Sequence, residues 1–281
     1  MVHAGQGRLS TRGSAPRGWT RTGLWGLVVL QLGCGVDKSG EAERQAAGGA
    51  PFPLDLPPHF PDFPHPVPSQ AEADLGRLLF HDFRLAVDDA RSCGICHEGK
   101  KGYTDGFVRA VGALGDSHTR NTLSLLNLAW RGPLTWVHPE LTDLNEQMQV
   151  PLFGMHPVEM GTDPDTVPDR LAGIPIYPPA FAAAYPDDPA PISMARVEDA
   201  LEAYEVLIIA GDTAYDRFLL GDDTALSADA RAGMDLFFSA RTGCGGCHGG
   251  LFLDLPAEVD GTPTGDTPLF VNVGMYNIDR A

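Results

Sequence analysis

Apolar residues recur at helical spacing in three stretches of the chain, and no stretch sustains the strict alternation of a half-buried strand. The first opens at Ser69, which can cap a helix. Glu72 and Asp74 follow in the first turn, and Leu75, Leu78 and Leu79 share one face. The second runs from Arg196 to Ala210, with Val197, Leu201, Tyr204 and Ile208 on one stripe, acids opposite, and Gly211 as the stop. The third starts at Ser227 and turns Ala232, Leu236 and Phe237 inward. Gly- and Pro-rich loops lie between them. The pattern predicts a mostly α protein with long loops.

Two segments break the pattern. Residues 51–68 hold eight prolines, and without backbone donors at those sites neither a helix nor a central strand forms. This stretch is expected to lie extended, with Phe52, Leu54, Phe60 and Phe63 free to pack on the body of the protein. Residues 1–34 carry Arg8, Arg12, Arg17 and Arg21, no acid, and the apolar run Leu24–Leu30. That is the layout of a secretory signal, too short to span a membrane as a mature helix. The run ends at Gln31-Leu32-Gly33-Cys34, which is similar to a bacterial lipoprotein cleavage site, with Cys34 as the lipidated residue. The expected location is the periplasm, on a lipid anchor. Residues 35–67 read as a tether, first Gly/Ala-rich and then Pro-rich.

Composition narrows the partners. The chain has 281 residues and is 43% hydrophobic, enough to bury a core. Its net charge is −17, and loss of the four arginines of the leader takes it to −21. So acidic a chain does not favour nucleic acid, whose phosphates need basic patches, and suits a basic redox partner. Five cysteines cannot all pair as disulfides.

Four of those cysteines fall in two motifs. Residues 93–97 read Cys-Gly-Ile-Cys-His and residues 244–248 read Cys-Gly-Gly-Cys-His. Both are CxxCH, the attachment sequence of c-type haem. Two thiols three residues apart can form thioethers to the haem vinyl groups, and the adjacent His reaches the iron from one face. Zinc would need both pairs on one tetrahedral ion, yet 147 residues separate them and each is followed by His. Paired disulfides are the other competing reading. The motifs are read as two haem sites, held by Cys93, Cys96, Cys244 and Cys247, with His97 and His248 as proximal ligands. What sits on the opposite face of each iron decides between carrier and catalyst, and composition leaves that open.

The segments around these motifs resemble the bacterial di-haem cytochrome c peroxidase / MauG family. The matching stretches are LGRLLFHDFRL (75–85), YTDG (103–106), TRNTLSLLN (119–127), LTW (134–136), EQMQVP (146–151), HPVEMG (156–161) and CGGCHGG (244–250). Residues 134–161 look closest to a MauG-like subgroup associated with methanobactin and copper-protein gene clusters. That subgroup is similar to an enzyme that oxidises a tryptophan of a partner protein.

The resemblance implies two cytochrome c-like domains, 68–211 around the first, peroxide-reactive haem and 212–281 around the second. It implies Glu159 as the distal acid. A carboxylate there can take a proton from peroxide and return it to the leaving oxygen. Gln147 and Pro151 would complete the distal pocket, and Trp136 would lie between the haems as an electron relay. Asn121 would belong to an inter-haem calcium site. The family's blocking His has Ala113 in its place, so the first haem is expected to have an open face. His118, three residues before Asn121, is the rival ligand, whereas His81, His138 and His156 lack motif support.

In the family, a segment similar to Leu269–Ala281 is followed by residues that complete the second haem pocket. The second domain is therefore expected to be incomplete, with Met275 and Tyr276 both poor candidates for its distal ligand. The implied function is an exported di-haem oxidoreductase that reacts with hydrogen peroxide and oxidises a partner protein in the MauG manner, with a copper-protein-like substrate. The alternatives are a peroxidase fed electrons by a small cytochrome or cupredoxin, and a non-catalytic electron-transfer cytochrome c.

Overall fold

The structure is a computed structural model, and it describes residues 49–138 and 140–254. Eight helices appear in these residues: α1 Gln70–Phe80, α2 Cys93–Cys96, α3 Leu144–Phe153, α4 Val167–Ala172, α5 Tyr177–Ala184, α6 Met194–Glu205, α7 Ala214–Leu219 and α8 Ala228–Phe237. Among the described residues there is no strand, and extended backbone pairs only through isolated bridges such as Val111–Ser117 and Met155–Val158.

α1 starts where the sequence predicts. The Ser69 hydroxyl accepts from the Glu72 amide, and the Glu72 carboxylate takes the Ser69 amide in return, a capping box that satisfies two otherwise unpaired donors. Leu75, Leu79 and Phe80 of α1 are fully buried against Val197 and Leu201 of α6 and against Tyr177 and Phe181 of α5. Leu152 from α3 and Leu171 from α4 close the same core. α1 and α6 approach so closely that a Cβ on Gly76 would lie 1.8 Å from the Ala200 carbonyl oxygen.

α6 is capped by Ser193, whose hydroxyl accepts from the Arg196 amide, and it ends at Glu205, five residues before the predicted Ala210. Two causes act together. Val206-Leu207-Ile208-Ile209 is rich in residues that lose side-chain freedom in a helix. Asn127 also captures the backbone there: its amide donates to the Ile208 carbonyl, and its side chain bonds both the amide and the carbonyl of Ala210. α8 starts after Ser227 as predicted. Its apolar face is not the expected buried one, because Leu236 is 45% exposed and Ala232 is exposed too. Phe237 alone of the three is partly covered, with its ring 6.0 Å from that of His248. Nothing among the described residues packs over the rest of that face.

The Pro-rich segment docks as expected. It alternates exposed and half-buried residues from Pro51 to Leu56, and Phe60 stacks edge-on to Trp130 and Phe252 at 5.1 Å each. The Trp130 indole donates to the Asp62 carbonyl, His65 meets the Ala129 carbonyl, and His59 pairs with Asp216 at 3.1 Å. Residues 1–48 and 255–281 fall outside the described residues. The leader, Cys34, the first part of the tether, Met275 and Tyr276 therefore lie beyond the structural account. Among the described residues no helix is long and apolar enough to cross a membrane.

Candidate functional site

α2 is a single turn made by the first CxxC pair, closed by the His97 amide donating to the Cys93 carbonyl at 2.8 Å. The chain then folds back so that the Tyr103 carbonyl lies 3.0 Å from His97 Nδ1. With Nδ1 donating there, Nε2 is the nitrogen that would ligate a metal. The second motif repeats this device. The His248 amide closes on the Cys244 carbonyl at 2.9 Å, and His248 Nδ1 sits 3.0 Å from the Leu253 carbonyl. Both accepting residues, Tyr103 and Leu253, hold left-handed backbone, with φ of 57° and 56°. Side chains seldom adopt that conformation without surrounding constraint, and here it aims each carbonyl at its imidazole.

The first motif opens onto a cavity of about 630 Å³. Cys93, Cys96 and His97 line it, together with Trp136, Gln147, Pro151 and Glu159. Burial pushes both thiols up and holds His97 down, against the pull of its bonds to the Tyr103 and Leu123 backbone. A neutral imidazole, two unpaired thiols and apolar walls formed by Leu125, Leu128, Leu134 and Met148 fit a haem. Cys244 and Cys247 are likewise unpaired, so the described motif cysteines form no disulfide.

Part of the cavity lining comes from α3 and the loop after it. α3 carries Pro151 inside its last turn, and the end of any helix leaves carbonyls without partners. Here they accept from the following chain: Met160 donates to the Pro151 carbonyl at 3.0 Å and Thr162 to Leu152 at 2.8 Å. These bonds and the Met155–Val158 bridge set Glu159 at the cavity. A hairpin from Ala110 to Arg120 closes over it, with the Ala113 amide bonding the carbonyls of Val158 and Glu159. His118, on the returning arm, brings Nδ1 to 3.7 Å from Glu159 Oε1. Burial raises the Glu159 carboxyl above the usual carboxylate range, and His118 draws it part of the way back.

The remaining residues predicted from sequence divide. The Trp136 indole donates to the Asn121 carbonyl at 2.9 Å, so both belong to the cavity wall. Among the described residues no group of three or more His, Cys, Asp or Glu is arranged to hold a metal ion, and the calcium expectation rests on Asn121 alone. His81 packs over the first motif, where a Cβ on Gly94 would meet its ring nitrogen at 2.3 Å. His138 pairs with Glu140 at the surface, and exposed His156 sits at the cavity edge.

Sequence reasoning missed Glu205. Its carboxyl lines the cavity, and burial, aided by Glu202, pushes it up to about 8. The available signal was position: Glu205 continues the apolar series of Val197 and Leu201 at intervals of four. The carbonyls of Tyr103 and Leu253 gave no signal, because a backbone acceptor has no residue type.

Comparison with known proteins bears on this geometry. The family model described as di-haem cytochrome c peroxidase matches residues 70–224. The methylamine utilization protein MauG of Methylorubrum extorquens is 35% identical over 188 residues, covering 66% of this chain and 52% of its own. The cytochrome c551 peroxidase of Pseudomonas aeruginosa is 34% identical over 185 residues, with the same coverage. Among solved structures, a MauG-like protein associated with microbial copper homeostasis superposes with a TM-score of 0.69 at 34% identity, over 74% of this chain and 62% of that one. The chain spans about half the length of the curated relatives it matches.

Proposed function

The chain belongs to the di-haem cytochrome c peroxidase family, and from that membership we propose that it serves an exported di-haem oxidoreductase in which hydrogen peroxide reacts at the first haem and a partner protein is oxidised. The observation that supports this reading is that Glu159, Gln147, Pro151 and Trp136 line the same cavity as Cys93, Cys96 and His97. When bound, the two haems supply iron that accepts the oxidising equivalents of peroxide. The Cys93 and Cys96 thiols would tether the first, and His97 Nε2 would ligate it, oriented by the Tyr103 carbonyl. Cys244, Cys247 and His248 would do the same for the second.

Glu159 acts as the proton shuttle of this reading. Burial raises its affinity for a proton, so it can take one from peroxide and deliver it to the leaving oxygen. The Gln147 amide offers a hydrogen bond to substrate or water, and Pro151 fills the apolar wall. Trp136, whose indole N–H bonds the Asn121 carbonyl, would relay electrons between the haems. Residues 68–211 form the peroxide-reactive part of this scheme, and residues from 212 onward hold the second haem.

We favour oxidation of a partner protein because the family resemblance puts Ala113 in the place of the blocking His, and because of the likeness to the copper-associated MauG-like structure. The similarity to the Pseudomonas peroxidase supports the second reading, in which a small cytochrome or cupredoxin feeds electrons to the haems. Peroxide added to the fully ferric, haem-loaded protein separates them. A spectral change without prior reduction is expected; no reaction until one haem is reduced would favour the peroxidase. Glu159→Gln should abolish the change, whereas an electron carrier would be indifferent to it.

A further inference from the structure

We infer that His118 is a positioning residue for Glu159, forming with it an imidazole–carboxylate pair on the distal side of the first haem. The inference rests on the reading of Glu159 as the proton shuttle. It stands on how the 110–120 hairpin is built. His118 donates its amide to the Ala110 carbonyl at 2.8 Å, Ala110 bonds back to Arg120 at 3.0 Å, and Gly112 bonds the Asp116 carbonyl at 2.9 Å. This hairpin lies directly on the Glu159 segment. The Ala113 amide reaches the Val158 carbonyl at 3.1 Å and the Glu159 carbonyl at 2.8 Å, and a Cβ on Gly112 would lie 2.0 Å from the Val158 oxygen. Side chain and backbone of Glu159 are therefore held by the same hairpin, with the imidazole 3.7 Å from the carboxylate.

The chemistry follows from the pairing. A half-buried carboxylate with no partner swings among rotamers and loses its aim. An imidazole beside it limits that freedom and, when protonated, favours the carboxylate form. His118 has a side-chain exposure of 17%, against 36% for Glu159. The other charged or titratable side chains around the cavity include Arg91 beside the motif, Arg120 on the hairpin, His156, Glu140 and Glu205. His118 forms an ion pair with Glu159 across this space, Nδ1 to Oε1. The arrangement also gives His118 a role other than iron ligation.

Cyanide association with the ferric, haem-loaded protein tests this without turnover. Hydrogen cyanide must lose a proton on binding iron, so its rate reads the distal base. Glu159→Gln should slow association roughly tenfold or more, because a neutral amide cannot take the proton. His118→Leu and His118→Ala should slow it comparably, and either variant suffices if the other does not fold. His118→Asn, which keeps a donor near the Nδ1 position, should recover most of the rate. Combining His118→Leu with Glu159→Gln should add little to Glu159→Gln alone. Normal rates in folded His118→Leu and His118→Ala beside a slow Glu159→Gln would overturn the inference and leave the role of Glu159 intact. A normal rate in Glu159→Gln would remove that role and the inference with it. A bis-imidazole spectrum of the resting first haem that is lost in His118→Leu would overturn it by making His118 the ligand.

Discussion

Glu205 occupies the position one helical step beyond Leu201, where the apolar stripe of α6 meets the cavity. Its carboxyl titrates near 8, from an ordinary value of 4.5, because burial penalises the charge. The sign of the consequence is fixed. Between about pH 4.5 and pH 8 the folded chain keeps a proton that the unfolded chain has released, so stability falls as pH rises through that window. The slope is at most ~1.4 kcal/mol per pH unit. Denaturant unfolding at pH 5 and pH 8 is expected to show this loss in the native sequence and much less of it in Glu205→Gln, whose neutral amide has nothing to ionise. Gly112 gives a second prediction at this scale. A Cβ there meets backbone, not a flexible side chain, so Gly112→Ala is expected to cost roughly 1–3 kcal/mol. It should also slow cyanide association by moving the hairpin off Glu159.

Between elements, the closest approach is that of α1 to α6 at Gly76 and Ala200. Gly76→Ala sets two effects against each other: a gain of ~1 kcal/mol in helix propensity and a clash with the Ala200 carbonyl, 1.8 Å away. Backbone cannot yield cheaply, so the clash wins, and thermal unfolding should show a net loss of about 1–3 kcal/mol. Gly233 in α8 is the control. A Cβ there meets no atom within 4 Å, and Gly233→Ala should stabilise by up to ~1 kcal/mol in the same melt. The opposite signs of two identical substitutions test whether packing or propensity decides.

The elements also mark how far sequence can be read. Ser69 and Ser227 announced α1 and α8 because a cap is a local bond between residues three apart. The end of α6 was not legible, because Asn127, about eighty positions away in the chain, captures its backbone. α3 was hidden by Pro151, and α4 and α5 are short helices that carry proline in their first turns. The cavity residues were legible through resemblance. Their convergence depends on the bonds from Met160 and Thr162 to the end of α3, which no periodicity reports.

At the scale of the whole molecule, the Pro-rich strap ties together regions far apart in sequence. Phe60 touches both Trp130, before the cavity wall, and Phe252, beside the carbonyl that orients His248. Gly211, expected as a helix stop, has another reason to be glycine. A Cβ there would lie 2.5 Å from Pro57 and 2.6 Å from the Phe60 ring, so the strap crosses directly over it. Phe60→Ala and Gly211→Ala attack this crossing from opposite sides, one by removing the ring and the other by pushing it away. Each is expected to cost about 2 kcal/mol, below the ~3–5 kcal/mol of a fully buried Phe because Phe60 is half-buried. The loss should be local. Hydrogen exchange should quicken at Phe60, whose amide bonds the Pro57 carbonyl, and at Phe52, whose amide bonds that of Pro68, while protection in α1 and α6 stays unchanged. Because Trp130 also holds the strap through its bond to the Asp62 carbonyl, Trp130→Phe should quicken exchange at the same amides. Quickening spread evenly through the α1–α6 core in all three variants would instead mean that the strap and the core unfold as one unit.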